Sequence, residues 1–290
     1  MAAPSLPVIV SAASPEYFRC LVQLALSVER TQPRGALRLI AYDLGFDLRQ
    51  RDFFERRFAQ WELRTFDFGR HPPHVAVRDR LVNTNAWKPL IVRDVLAERD
   101  APLLWLDSAT VVLESLSPVF AHVERTGLYT PYGGASSLEE LTHPATLAAL
   151  GVPPHVARER QRASGVFGAD PRSSAARALV EAWADACLDE KIAIPPGADH
   201  RAHRFDQSVL NALLYPLAAR EGIALTADEI DVSSAHPTPL YRTRNKVKNW
   251  LPVAADPLAR AWFAAYRALD VALIRATRRR PAATARDAAR

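Results

Sequence analysis

A single carboxylate, Asp107, directly follows an apolar run at residues 103–106. A short continuous apolar run is typical of a strand that is buried on both faces of a parallel sheet. A carboxylate is costly inside such a strand, but at the carboxyl end it reaches the edge where open α/β sheets bind ligands. We therefore predict that Asp107 ends a buried strand and contacts a ligand. The alternative is that Asp107 only caps the following turn.

Strand and helix patterns alternate along the chain, which predicts an α/β fold with a mostly parallel central sheet flanked by helices. Before the Asp107 strand, strands are predicted at 8–14, 36–42 and 62–68, and helices at 15–31, 47–61 and from Pro89 to about residue 98. Ser14 is the predicted N-cap of the first helix. After Asp107, a strand is predicted at 127–132, a helix capped by Asp170 and Pro171, and a further helix from Asp206.

The positive charge of this chain is concentrated at its end. The net charge is +5, and residues 275–290 alone carry six arginines against one aspartate. The remaining residues balance 31 cationic against 31 anionic side chains. A neutral body argues against nucleic acid as a partner. Two cysteines without metal-like spacing, and no signal-peptide pattern, predict a reduced, cytoplasmic protein.

The sequence divides into one large domain and a C-terminal extension. Residues 1–255 are predicted to form the α/β domain, 256–278 an amphipathic helix and 279–290 a disordered basic tail. The helix either docks on the core or lies on an anionic membrane surface, as amphipathic helices with polybasic ends do. In the second case the protein would be peripheral on the inner face of the cell membrane.

Four short segments resemble, in their order along the chain, motifs of nucleotide-sugar glycosyltransferases with the GT-A fold, especially the retaining glycosyltransferase family eight. They are Ala-Ala-Ser-Pro-Glu-Tyr at 12–17, Leu-Asp-Ser-Ala-Thr-Val-Val at 106–112, Ser-Gly-Val at 164–166 and Asp-Gln-Ser-Val-Leu-Asn at 206–211. The chain departs from the family where Ala109 replaces the second aspartate of the Asp-x-Asp motif. Ser14, Glu16 and Ala163 also replace family residues.

The resemblance implies a retaining hexosyltransferase, with Asp206 and Gln207 as its catalytic residues. A carboxylate and an amide at a helix N-terminus can hold sugar hydroxyls and flank a developing oxocarbenium ion. The alternative is that Asp206 is only an N-cap. The implied nucleotide-sugar-binding residues are Ala12, Ser14, Tyr17, Lys88, Asp107, Ser108, Ser164, Gly165, Lys246 and Lys248. Tyr17 either stacks on the base or belongs to the core.

The resemblance also implies a metal and two substrates. Asp107 and His236 are the candidate ligands of Mn²⁺ or Mg²⁺, hard ions that prefer oxygen ligands. Because Ala109 removes one carboxylate, we expect weaker metal binding, with the basic residues at 242–248 stabilising the leaving group instead. The donor is predicted to be a UDP-sugar, and the acceptor a glycan or lipid-linked molecule of bacterial surface glycan synthesis. The alternative is a catalytically inactive nucleotide-sugar-binding or scaffold protein.

Overall fold

The computed structural model describes residues 5–77, 83–98, 100–230 and 238–242. The predicted C-terminal helix and basic tail lie outside these residues, as do three predicted site residues, His236, Lys246 and Lys248. Among the helices within these ranges, none is long and apolar enough to cross a membrane.

The core of the fold is a six-stranded sheet. The strands of the described chain are β1 Val8–Ala13, β2 Arg38–Asp43, β3 Trp61–Thr65, β4 Leu103–Leu106, β5 Thr110–Val112, β6 Leu128–Tyr129, β7 Tyr132–Ser137, β8 Arg160–Arg162, β9 Val166–Ala169 and β10 Leu240–Arg242. The large sheet has the order β3-β2-β1-β4-β9-β6, in which the first four strands are parallel and β9 is antiparallel to both neighbours. The predicted mostly parallel sheet is confirmed.

Helices cover both faces of this sheet. They are α1 Phe18–Thr31, α2 Leu48–Arg57, α3 Trp87–Ala97, α4 Ser117–Thr126, α5 Leu138–Leu141, α6 Pro144–Ala149, α7 Pro154–Ala157, α8 Ser174–Leu188, α9 Glu190–Ala193 and α10 Asp206–Glu221. Leu103 and Trp105 of β4 pack on one face with α3, α8 and α10. Leu104 and Leu106 pack on the other with α1, α2 and α4. Because both faces of β4 are covered, its sequence is apolar at every position.

Two predicted helix starts are placed differently by the structure. Ser14 precedes a short 3₁₀ turn, Pro15–Tyr17, and its side chain caps no backbone amide. The prediction that Asp170 and Pro171 cap the following helix was wrong, because Ser173 is its N-cap and its hydroxyl accepts a hydrogen bond from the Ala176 amide. The Asp170 carboxylate is instead held by the side chain of Arg172.

Candidate active site

A cavity of about 880 Å³ opens where β1 and β4 end. Its volume falls in the range of ligand pockets, roughly 300–1,000 Å³. Every predicted site residue within the described chain lines it: Ala12, Ser14, Tyr17, Lys88, Asp107, Ser108, Ser164, Gly165, Asp206 and Gln207. The fold therefore brings five segments that are far apart in sequence to one place.

One wall of the cavity, here called the β1 arm, is formed by residues 12–17. It is held by its own backbone, because the Tyr17 amide donates to the Ser14 carbonyl at 2.9 Å. It also contacts the loop after β2, where the Leu44 amide donates to the Ala13 carbonyl at 3.1 Å. Tyr17 is partly buried and packs beside the apolar cluster of α1. Tyr17 thus touches the core and also lines the cavity, and its stacking on a base stays a prediction.

The floor of the cavity is an ion-pair cluster centred on Lys88, near the start of α3. Its Nζ lies 3.1 Å from Oδ1 of Asp107 and 2.9 Å from Oδ2 of Asp206. Nζ also donates to the Ser164 hydroxyl at 3.3 Å. Lys88 is 2% exposed and Asp206 is 3% exposed, whereas the Asp107 side chain keeps 34% of its surface open. The cluster therefore meets the cavity mainly through Asp107.

Burial and charge act together on the protonation of this cluster. Burial alone would lower the pKa of Lys88, but the carboxylates of Asp107 and Asp206 outweigh it and raise that pKa. Burial raises the pKa of Asp206, and the Lys88 ammonium opposes this shift. Lys88 thus stays protonated and compensates the charge of two carboxylates. The contact of Lys88 with a diphosphate stays a prediction. Any such contact would add to the two ion pairs that Lys88 already makes with Asp107 and Asp206.

The Asp107 carboxylate is oriented by contacts with Trp105 and Lys88, so its role is not limited to capping a turn. The Trp105 indole donates to its Oδ1 at 2.8 Å. Its backbone amide donates to the Gly165 carbonyl at 2.8 Å, which ties the end of β4 to the start of β9. A Cβ atom at Gly165 would lie 2.6 Å from Oδ2 of Asp107. Gly165 is therefore required for the close approach of the Asp107 carboxylate.

The second wall, here called the α10 arm, is formed by Asp206 and Gln207. The N-cap of α10 is Phe205, and Asp206 is the first residue of the helix itself. The alternative that Asp206 is only an N-cap was therefore wrong. Phe205 has φ 47° and ψ −115°, a backbone conformation that is unfavourable for a residue with a side chain. The Trp183 indole donates to the Asp206 carbonyl at 2.9 Å. Asn85, also at positive φ, places Nδ2 3.4 Å from the Asp206 carboxylate.

Sequence reasoning gave no role to Asn85, Trp183 or Phe205. No local pattern marks a positive φ at asparagine or phenylalanine, and Trp183 reads only as one member of an apolar helix face. Lys88 did carry a signal. It is the one charged residue within the apolar stretch at 86–92, and a lysine buried there requires a carboxylate partner.

The described residues do not form the ligand set of a divalent cation. Within the described ranges, no group of three or more His, Cys, Asp or Glu side chains could hold a metal ion. Oδ1 of Asp107 already accepts from an indole and lies beside an ammonium, and Ala109 adds a methyl group to the cavity wall. His236, the other candidate ligand, lies outside the described residues.

No family model and no curated protein matches this chain. Several solved structures do match it. The galactosyltransferase LgtC, in complex with donor and acceptor sugar analogs, matches with a TM-score of 0.55 and 18% identity over 90% of this chain and 95% of its own. GlyE, a glycosyltransferase of Streptococcus pneumoniae TIGR4, matches with a TM-score of 0.51 and 16% identity over 93% of this chain and 62% of its own.

A third solved structure, mouse xyloside xylosyltransferase 1, matches with a TM-score of 0.50 and 10% identity over 83% of this chain and 98% of its own. At such low identities the likeness concerns the fold. The chain has the fold of GT-A glycosyltransferases, and the resemblance stated from its motifs is confirmed at that level.

Proposed function

We propose that this protein is a retaining glycosyltransferase that moves a hexose from a nucleotide-diphosphate donor, most simply a UDP-sugar, to a glycan or lipid-linked acceptor of bacterial surface glycan synthesis. One observation carries the proposal. Asp107, Lys88 and Asp206, from β4, α3 and α10, meet on the floor of a cavity that the β1 and α10 arms enclose. The GT-A fold supports the same reaction class.

In this proposal the β1 arm and the end of β4 bind the nucleotide. The Tyr17 ring offers a stacking face for the base, while the small side chains of Ala12 and Ser14 leave room for it. Ser108 and Ser164 supply hydroxyl groups beside Asp107. The Lys88 ammonium, next to Asp107, gives the departing diphosphate a cation at short range. Lys246 and Lys248 are proposed to add charge to the same leaving group.

The α10 arm acts on the sugar. Gln207 is partly exposed and lines the cavity, whereas Asp206 lies buried behind it on Lys88. Positive charge develops at the anomeric carbon as the bond to the diphosphate breaks. The Gln207 amide and the negative cluster behind it stabilise that charge without moving, which is the advantage of a preorganised polar site.

The experiment is a donor panel. Purified protein is mixed with UDP- and GDP-sugars, with and without Mn²⁺, and both binding and release of free nucleotide are measured. We expect one donor to bind and to be hydrolysed slowly without an acceptor, with the released sugar keeping its anomeric configuration by NMR. An inactive binding protein would hold the donor unchanged. If no donor binds in any condition, the proposal is wrong.

Two variants separate the roles within the site. Asp107→Asn should weaken donor binding, because it removes the carboxylate that holds the Lys88 ammonium at the cavity floor. Asp206→Asn should lower turnover by roughly 10²–10³-fold with little change in nucleotide affinity, as losses of preorganised electrostatic groups do. Equal losses of affinity and turnover in both variants would contradict this assignment.

A further inference from the structure

We propose that Gln161 is a positioning residue that fixes the orientation of the Gln207 amide in the active site. The inference rests on the proposed function, because Gln207 is assigned there to the sugar. Gln161 lies in β8 and is 2% exposed. Its Oε1 accepts a hydrogen bond of 2.5 Å from Nε2 of Gln207. A buried amide thus contacts the residue that faces the reacting centre.

The orientation of the Gln161 amide is set by its contacts with Leu141 and Thr142, on the side away from Gln207. Its Nε2 lies 3.5 Å from the Leu141 carbonyl and 3.3 Å from the Thr142 hydroxyl. A carbonyl oxygen only accepts hydrogen bonds, so a reversed Gln161 amide would place two acceptors face to face. Oε1 of Gln161 must then face Gln207. Gln207 can donate a hydrogen bond to that oxygen only through Nε2. Its own Oε1 then faces the cavity.

The position of Gln161 opposite Gln207 is itself locked. Residues four apart lie on one face of a helix, and Gln207, Asn211 and Tyr215 form such a stripe on α10. Asn211 accepts from the Arg162 amide at 2.7 Å and donates to the Arg162 carbonyl at 2.9 Å. The Tyr215 hydroxyl donates to the Arg160 carbonyl at 2.5 Å. This stripe fixes β8 to α10, so Gln161 cannot slide away from Gln207.

The orientation matters for the chemistry. A carbonyl oxygen toward the cavity carries partial negative charge and stabilises an oxocarbenium-like centre, whereas an amide nitrogen there would present partial positive charge. The orientation of the Gln207 amide therefore changes the energy of the transition state, where positive charge develops, much more than that of the ground state. Gln161 should therefore affect kcat and leave donor affinity almost unchanged.

The test replaces Gln161 by methionine, which keeps the length of the side chain and removes the acceptor. For Gln161→Met we expect kcat of donor hydrolysis to fall roughly 10-fold, the effect of one hydrogen bond, with donor KM within about twofold. In a Gln207→Ala background, where no amide remains to be oriented, the same substitution should change kcat less than about twofold. Gln23→Met, which alters a buried glutamine of α1 outside the cavity, is the control and should leave kcat unchanged.

Several results would overturn the proposal: an unchanged kcat in Gln161→Met, an equal loss of kcat in both backgrounds, or a rise in KM alone. A second readout does not depend on activity. The side-chain amide signals of Gln207, assigned in a ¹⁵N NMR spectrum by their absence in Gln207→Ala, should move in Gln161→Met and stay in place in Gln23→Met. If they do not move, Gln161 does not orient Gln207. If they move but the wild type hydrolyses no nucleotide sugar, the proposed function has failed and the positioning contact has not.

Discussion

The two arms of the cavity are built in different ways. The β1 arm is a continuous segment, held mainly by backbone hydrogen bonds to itself and to the loop after β2. One side chain of α2 adds to them, since Nε2 of Gln50 donates to the Pro15 carbonyl at 3.1 Å. The α10 arm is held by side chains from distant elements: Lys88 of α3, Gln161 of β8 and Trp183 of α8. A substitution on the β1 arm that leaves the core contact of Tyr17 intact should therefore change ligand binding more than stability. One on the α10 arm should also change the stability of the fold.

The largest effect is expected from Lys88→Met, which tests the α10 arm at its centre. Removing the ammonium leaves the buried Asp206 without its counter-charge. Breaking a buried ion pair by removing one partner costs about 3–5 kcal/mol. The free energy of unfolding, measured by urea denaturation at neutral pH, should fall by that amount.

Two further variants control this experiment. Lys191→Met alters an exposed lysine and should leave the free energy of unfolding nearly unchanged. Lys88→Met combined with Asp206→Asn removes the orphaned charge and should recover part of the loss. A double variant no more stable than Lys88→Met would show that the ion pair does not hold the α10 arm.

A pH effect is expected from His203, which anchors the loop before α10. Its Nε2 hydrogen-bonds the Ala193 carbonyl, and its Nδ1 accepts from the His143 amide. A protonated ring would present a donor to that amide. Burial lowers the pKa of His203 to about 4. Since an unfolded histidine titrates near 6.5, the unfolded state binds the extra proton first, and stability falls as the pH drops from about 6.5 toward 4, by up to about 3 kcal/mol.

The measurement is the free energy of unfolding between pH 7.5 and 4 for the wild type and His203→Gln. The variant should be less stable at neutral pH and should lose less on acidification. His155→Gln, an exposed histidine, serves as the control and should keep the wild-type slope. If His203→Gln also keeps that slope, His203 is not the group that makes the loop sensitive to acid.

The fold was predictable from the sequence, and the predicted site residues of the described chain line one cavity, because both depend on local patterns. The apolar run at 103–106 is continuous since both faces of β4 are covered. The residues after β1 and β4 converge because these parallel strands end at one edge of the sheet. Ser164 and Gly165 reach the same edge because β9, which is antiparallel to β4, begins there. The start of α8 was misjudged because Asp170 and Ser173 are both good N-cap residues by type. The hydrogen bond to the Ala176 amide selects Ser173.

The contacts within the site could not be predicted in the same way. The pairing of Lys88 with Asp206 joins residues that are far apart along the chain, and neither residue indicates its partner. The backbone of Phe205 is held at positive φ by its surroundings and not by its own preference. The pair of Gln161 and Gln207 had a partial signal, since Gln207, Asn211 and Tyr215 recur at a spacing of four. Only the structure shows what that stripe contacts.

Tyr17→Ala tests the β1 arm with a smaller expected effect. If the ring stacks on the base, its removal should weaken donor binding by about 1–3 kcal/mol, the range measured for base–aromatic stacking. Isothermal titration with the donor identified in the panel measures this loss. Tyr17→Phe keeps the stacking face and should bind nearly as the wild type does. An unchanged affinity in Tyr17→Ala would leave Tyr17 as a core residue only.

The smallest effect is expected from Ser14→Ala, which separates ligand binding from stability within one residue. Ser14 caps no backbone amide, so the free energy of unfolding should change by less than about 0.5 kcal/mol. Ser173→Ala, which removes a true N-cap hydroxyl, should cost about 1 kcal/mol. Loss of one hydroxyl contact to the nucleotide should still weaken donor binding roughly 3- to 10-fold. Equal destabilisation by the two substitutions would mean that the β1 arm depends on side chains as the α10 arm does, and the contrast between the arms would disappear.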